Sequence, residues 1–269
     1  MSYQLLTAPS SIGRVLDSGF KLFIGSFKLV LGLAALSAVV NVVLQYAMMT
    51  LMISDQTFTT PEQSAEYLQQ AMPVAIGVGV VIWMFSLAIY NAMLVRVGQY
   101  AVSNNGNFGD AIILGAKKTL PVFLAMLLYM LAMMLGFVLL VIPGLILMLT
   151  LLFFQVLIVT EDKGIIESLK ASHNLVWGNY WRTATVITIP LFVIYALVMV
   201  VAFIAGVTTA LEVQSMEVGT ALEMNFSMVD AISAAIPAFM MSLLYSIYIV
   251  QANDLKLRKF GADLEQKLE

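Results

Sequence analysis

The stretch "KKTLPVFLAMLLYMLAMMLGFVLLVIPGLILMLTLLFFQVLIVTEDK" (residues 117–163) runs for 42 residues, Thr119 to Thr160, without a charged side chain. A helix crosses the hydrocarbon core of a bilayer with about 20 apolar residues. As a single helix the run would be about 63 Å long, twice the membrane thickness. The chain must turn back within it. Pro143 lacks an amide hydrogen and clashes with the preceding turn, and Gly144 accepts backbone angles that other residues avoid. The run therefore predicts two membrane-spanning helices joined by a tight turn at "VIPG". Lys117–Lys118 and Glu161–Asp162–Lys163 then lie on the same side of the membrane.

The rest of the chain agrees. Of 269 residues, 61% are hydrophobic and 11% charged, where a soluble domain carries about 25% charged residues. No soluble core of this size buries so much apolar surface, so the chain reads as an integral membrane protein. A net charge of -3 gives no support for a nucleic-acid partner. The absence of cysteine excludes disulfides and thiolate metal sites. The first apolar span begins near Leu29, after a mixed amphipathic segment, so no cleavable leader is expected and the N-terminus is retained.

Six uncharged spans follow: Leu29–Ile53, Pro73–Val95, Leu120–Val141, Gly144–Val159, Ala184–Leu211 and Ala231–Val250. All 13 Lys and Arg fall before span 1, between spans 2 and 3, between spans 4 and 5, or after span 6. The other connections carry only acidic residues: Asp55, Glu62 and Glu66 in one, and Glu212, Glu217, Glu223 and Asp230 in the other. Short loops rich in Lys and Arg stay cytoplasmic. Both termini are expected inside, in a multi-pass membrane protein.

An amphipathic segment precedes each pair of spans: Ser10–Phe27, Asn107–Lys118 and Gly164–Trp181. In the first, Ile12, Val15, Leu16, Phe20 and Phe23 recur at helical spacing. Such helices lie flat among headgroups. The expected fold is all-α: three transmembrane hairpins, each led by a cytoplasmic interfacial helix. The units cover residues 9–96, 106–160 and 163–251 of a single membrane domain, with a cytoplasmic tail at 252–269. Amphipathic cytoplasmic loops are common in multi-span proteins, so the repeat rests on position rather than on sequence identity.

No Asp, Glu, Lys, Arg or His lies well inside a span, and Arg96 and Asp230 sit at boundaries. Intramembrane ionisable groups mark proton relays and voltage sensors, and both are disfavoured here. His173 is the single histidine and lacks ligating partners, so no metal or other cofactor is expected. The 18 Met read as adaptable apolar filler. No Gly-Lys-Ser/Thr phosphate loop is present. The chain is expected not to be an enzyme.

Mild polarity remains. Ser37, Asn41 and Gln45 stand four apart on one face of span 1. Asn91, Gln155, Ser242 and Ser246 add polar groups in spans 2, 4 and 6, with Tyr245 and Tyr248 near the last two. Two readings stand: interhelical hydrogen bonding that glues the bundle, or a seam lining a cavity or headgroup groove. Pro190 and Pro237 fall inside spans 5 and 6, where they kink helices and either open a crevice or serve packing. Lys117, Lys118 and Arg182 make a candidate basic collar at the inner leaflet. The same charges also set topology.

The segment "VIPGLILMLTLLFFQVLIVTEDKGIIESLKASHNLVWGNYWR" (residues 141–182) resembles the YciC-like family of bacterial inner-membrane proteins, and more distantly the membrane regions of some glycerophosphodiester phosphodiesterases. The likeness rests on Pro143–Gly144, Glu161–Asp162, Gly164, Glu167–Ser168–Leu169, Ser172, Trp177 and Asn179. The N-terminal "TAPSSIGRVLDSGFKLF" is similar in kind. The resemblance implies a six-span envelope protein and carries over no catalytic residue. Three functions remain open. The first is binding or passive movement of membrane lipids or amphiphiles. The second is structural or assembly support of an envelope protein partner. The third is a permease-like subunit that needs a separate ATPase.

Overall fold

The structure is a computed structural model, and it describes residues 3–52, 60–102, 106–215 and 228–268. Every element among the described residues is an α-helix: α1 Ile12–Met52, α2 Pro61–Ala101, α3 Phe108–Leu139, α4 Val141–Thr150, α5 Phe154–Glu161, α6 Ile165–Val176, α7 Tyr180–Ser215 and α8 Met228–Leu268. Among the described residues six stretches are long and apolar enough to cross a membrane, with α4 and α5 together making the fourth.

α1 and α8 run antiparallel and pack closely over the half of the bundle that carries the Lys and Arg, called here the basic end. Val15, Leu22, Val30, Leu33 and Ala34 recur every three to four residues along α1. They are buried with Leu243, Tyr245, Ile247 and Val250 of α8. α2 joins this core through Ala92, Met93, Leu94 and Val97. A second cluster sets Leu87 of α2 and Val122 and Ala125 of α3 against Phe154 and Ile158 of α5.

The turn inside the long apolar run falls three residues before the predicted proline. Leu140 is extended, with φ -167° and ψ 154°, and separates α3 from α4. Pro143 instead occupies the first turn of α4, where a missing amide hydrogen costs nothing. Gly144 has a different task. A Cβ there would lie 2.5 Å from the Phe137 ring, and one on Gly136 would lie 2.9 Å from the Gly144 Cα. The two glycines let α3 and α4 meet at the fold-back. Tyr129 then donates to the Met148 carbonyl at 3.0 Å.

The fourth span is not one helix, contrary to the expectation for Gly144–Val159. The regular ladder lapses between α4 and α5. Ser172 of α6 enters the gap: its hydroxyl accepts from the Phe153 amide at 3.0 Å and donates to the Thr150 carbonyl at 2.8 Å. A side chain inserted in the i→i−4 ladder is a recognised cause of helix breaks. Ser172→Ala strands a buried amide and is expected to cost about 1–3 kcal/mol. Hydrogen exchange at Phe153 reads this directly, and unchanged protection would show that the break does not depend on Ser172.

The interfacial helices differ from expectation in the first two units. Ser10–Phe27 and Asn107–Lys118 are not separate helices but the opening turns of α1 and α3. No proline or extended residue interrupts them. The apolar face of the first, Val15 and Leu22, is buried against α8 rather than laid on lipid. α6 is a separate amphipathic helix, bounded by an extended Gly164 and by Gly178 at φ +90°.

Candidate functional site

Polar residues gather at two levels. The first lies within the spans. Gln155 of α5 donates through Nε2 to Asn91 Oδ1 of α2 at 3.1 Å and to the Tyr245 hydroxyl of α8 at 3.0 Å. Asn91 and Tyr245 are fully buried. Asn41 of α1 donates to the Tyr90 hydroxyl at 3.0 Å. Thus Asn41, Asn91 and Gln155, chosen from sequence, each bridge helices, and Tyr245 is the partner that completes the main triad.

The other seam residues behave differently. Ser242 and Ser246 donate to the Phe239 and Ser242 carbonyls of their own helix. Gln45 is half-buried. The hydroxyls of Ser37, Ser86 and Thr150 and the Asn91 Nδ2 are buried without a hydrogen-bond partner among the described residues. The seam is built of amides and hydroxyls, groups that orient and hold rather than transfer protons.

The second level is ionic and lies at the basic end. Asp254 of α8 is fully buried. It accepts from the Ser10 amide at 2.8 Å, from Arg182 at 2.8 and 3.1 Å, and from Arg258 at 2.9 Å. Both arginines also donate to the Ser10 carbonyl, at 2.5 and 2.6 Å. Asn253 donates to the Leu6 carbonyl at 2.8 Å. The network ties the segment before α1 to α7 and α8. Nearby, the Tyr3 hydroxyl lies 2.8 Å from that of Ser18. Burial raises the Tyr3 phenol above its ordinary value more than the Ser18 hydrogen bond lowers it, so the ring stays neutral.

Of the three collar residues, Lys117 is exposed, Lys118 pairs with Asp162, and Arg182 is engaged by Asp254. Arg96 is buried and donates to Gln99 and to the Gly106 carbonyl. Sequence reading missed Asp254. The signal was its i,i+4 spacing to Arg258 immediately after span 6. No group of three or more His, Asp or Glu among the described residues is placed to hold a metal ion.

The family described as domain of unknown function DUF7847 matches residues 74–252, which include Asn91, Gln155, Tyr245 and α6 and end two residues before Asp254. The chain belongs to this family. Two curated relatives are similar to parts of the chain. A UPF0259 membrane protein of Pectobacterium carotovorum is 43% identical over 75 residues, 28% of this chain and 30% of that protein. A UPF0259 membrane protein of Photorhabdus laumondii is 27% identical over 159 residues, 55% of this chain and 59% of that protein. The chain thus spans between about a third and three-fifths of these relatives. Their names place this DUF7847 protein with the YciC-like membrane family, as the motif from Pro143 to Asn179 implied. Neither relative bears on the likeness to glycerophosphodiester phosphodiesterases. No solved structure matches the chain.

Proposed function

We propose that this multi-pass protein is a non-enzymatic component of the bacterial inner membrane that binds membrane lipids or other amphiphiles in a lateral crevice beside α7. The basic end faces the cytoplasm, in line with the loop charges. The three pairs α1–α2, α3 with α4–α5, and α7–α8 act as hairpins. Each is led by amphipathic turns at the inner leaflet, and in the third pair these form the separate α6.

One observation carries this reading. α7 packs most fully on the bundle as far as Pro190, beyond which Ile194 keeps a partly buried contact with the core. Thr183, Val186, Ile187 and Pro190 are buried, whereas residues 191–200 have no buried member, and Phe192 and Phe203 are 71% and 73% exposed. Among the described side chains of α8 the first buried one is Ala238, next to Pro237. Proline removes a ladder hydrogen bond and kinks a helix. The two prolines mark the level at which the packed basic half gives way to an open outer half.

A photoreactive phenylalanine analogue at Tyr195, with a control at the lipid-exposed Leu135, tests the reading. A phospholipid cross-link that survives delipidating detergent washes at Tyr195 but not at Leu135 is the expected result. Equal loss at both positions would sink it. A discrete protein adduct at Tyr195 would favour the second reading, in which the same unpartnered α7 face docks an envelope protein.

A further inference from the structure

A separate pocket of about 240 Å³ opens at the basic end between α5, α6 and α8. Its apolar wall is Leu157, Leu175 and Phe260. Its polar wall holds Lys163, Lys256, Lys259 and Asn174 against one acidic residue, Glu161. We infer that this pocket is a binding site for a phosphate-ester anion, and that its occupant is the headgroup of an anionic phospholipid of the adjacent leaflet.

Charge, depth and size each support this. Three ammonium groups face one carboxylate in the lining. Lys256 pairs with Glu161, and Lys163 pairs with Glu167 outside the pocket, while Lys259 makes no ion pair among the described residues. Lys163 and Lys256 keep only 27% and 34% of their side-chain surface, so the charges are partly desolvated and weakly screened. Asn174 adds an amide donor for a phosphate oxygen.

Depth comes from the junction of α6 and α7. Trp177 and Trp181, just beyond Asn174 and Leu175, are 60% and 81% exposed. Exposed tryptophans sit at the membrane–water interface, which puts the pocket at headgroup level. The volume lies below the roughly 300–1,000 Å³ of pockets that enclose a drug-sized molecule. It suits a headgroup whose acyl chains remain in the bilayer. The site lies at the opposite end of the bundle from the α7 crevice and stands whether or not that crevice holds lipid.

Native mass spectrometry of the full chain released from nanodiscs tests the site. Nanodiscs of mixed phosphatidylglycerol and phosphatidylcholine are compared for the unaltered protein, Lys259→Gln, Lys163→Gln/Lys259→Gln and Lys117→Gln. Lys259→Gln breaks no ion pair among the described residues, so helix content by circular dichroism should not change. Retained phosphatidylglycerol relative to phosphatidylcholine is expected to fall about fivefold in Lys259→Gln, equivalent to about 1 kcal/mol. A further fall is expected in the double variant and none in Lys117→Gln, an exposed lysine outside the pocket. An equal fall in Lys117→Gln would overturn the site in favour of diffuse surface charge. No fall in any variant would overturn it outright. In pure phosphatidylcholine, added inorganic phosphate should not stabilise the protein. Phosphate stabilisation that vanishes in Lys259→Gln would replace the lipid assignment with a free-phosphate site.

Discussion

Asp254→Asn should unfold the detergent-solubilised protein at a much lower temperature than any single change among its partners. The carboxylate is fully buried and holds two arginines and the Ser10 amide at once. Removing one partner of a buried ion pair typically costs 3–5 kcal/mol, because an uncompensated charge is left behind. Here two cations lose their counter-charge together. Arg182 and Arg258 keep 15% and 29% side-chain exposure, which lets water relieve part of the cost, so about 3 kcal/mol is expected. That is a large share of the 5–15 kcal/mol that holds a typical protein folded. Arg258→Gln leaves Arg182 in place and should cost about 1 kcal/mol, with Arg182→Gln between the two. Intrinsic tryptophan fluorescence on heating orders the three variants. Equal midpoints for Asp254→Asn and Arg258→Gln would show that the cluster is solvated rather than structural.

The same cluster limits what charge neutralisation at the basic end can report. Lys117 is free to face headgroups, whereas Arg182 holds α7 to α8 and to the segment before α1. A loss of lipid on changing Arg182 would therefore follow from a loosened fold. Lys117 and Lys259 are the positions where charge separates from architecture.

The parts of the fold legible from sequence are those set by one-dimensional quantities. Apolar run length gave the six spans, and proline and glycine in "VIPG" placed the fold-back within three residues of Leu140. Polar residues chosen for being unusual inside a span, Asn41, Asn91 and Gln155, turned out to bridge helices. The misses share a cause. Whether Ser10–Phe27 lies on lipid or on α8 depends on what its apolar face meets, and periodicity is the same for both. The break in span 4 depends on a hydroxyl from α6, 19 residues further along. The burial of Asp254 is not legible from its spacing to Arg258, because burial at a helix end is decided by neighbours distant in sequence. Ser10 lies 244 residues away from it.

Gly115 is a further position whose importance is three-dimensional, and Gly115→Ala is expected to be among the most damaging single-methyl changes in the chain. A Cβ at this position would lie 2.5 Å from the Ala92 nitrogen, 2.7 Å from the Ala88 oxygen and 2.8 Å from the Ala92 Cα. All three are backbone atoms of α2, so no side-chain rotation can make room. α2 and α3 would have to separate, loosening Leu87 and Val122, which are buried between them. The pattern was present in the sequence: Ala88 and Ala92 stand four apart on α2, and Ala111, Gly115 and Thr119 stand four apart on α3. Small residues at this spacing let membrane helices approach backbone to backbone, where dispersion rather than hydrophobic exclusion holds them. Alanine is the better helix former by about 1 kcal/mol, and overpacking costs about 1–3 kcal/mol or more. Contact with rigid backbone puts Gly115 at the upper end, for a net loss of about 2 kcal/mol. Gly77, on the same α2, has nothing within 4 Å of an added Cβ. Gly77→Ala should therefore stabilise by propensity alone. Opposite shifts of the two melting midpoints would establish that α2 and α3 meet at Gly115. Shifts of the same sign would mean that the helices are held apart by lipid at that level, and the seam residues Asn91 and Gln155 would then need another explanation for their approach.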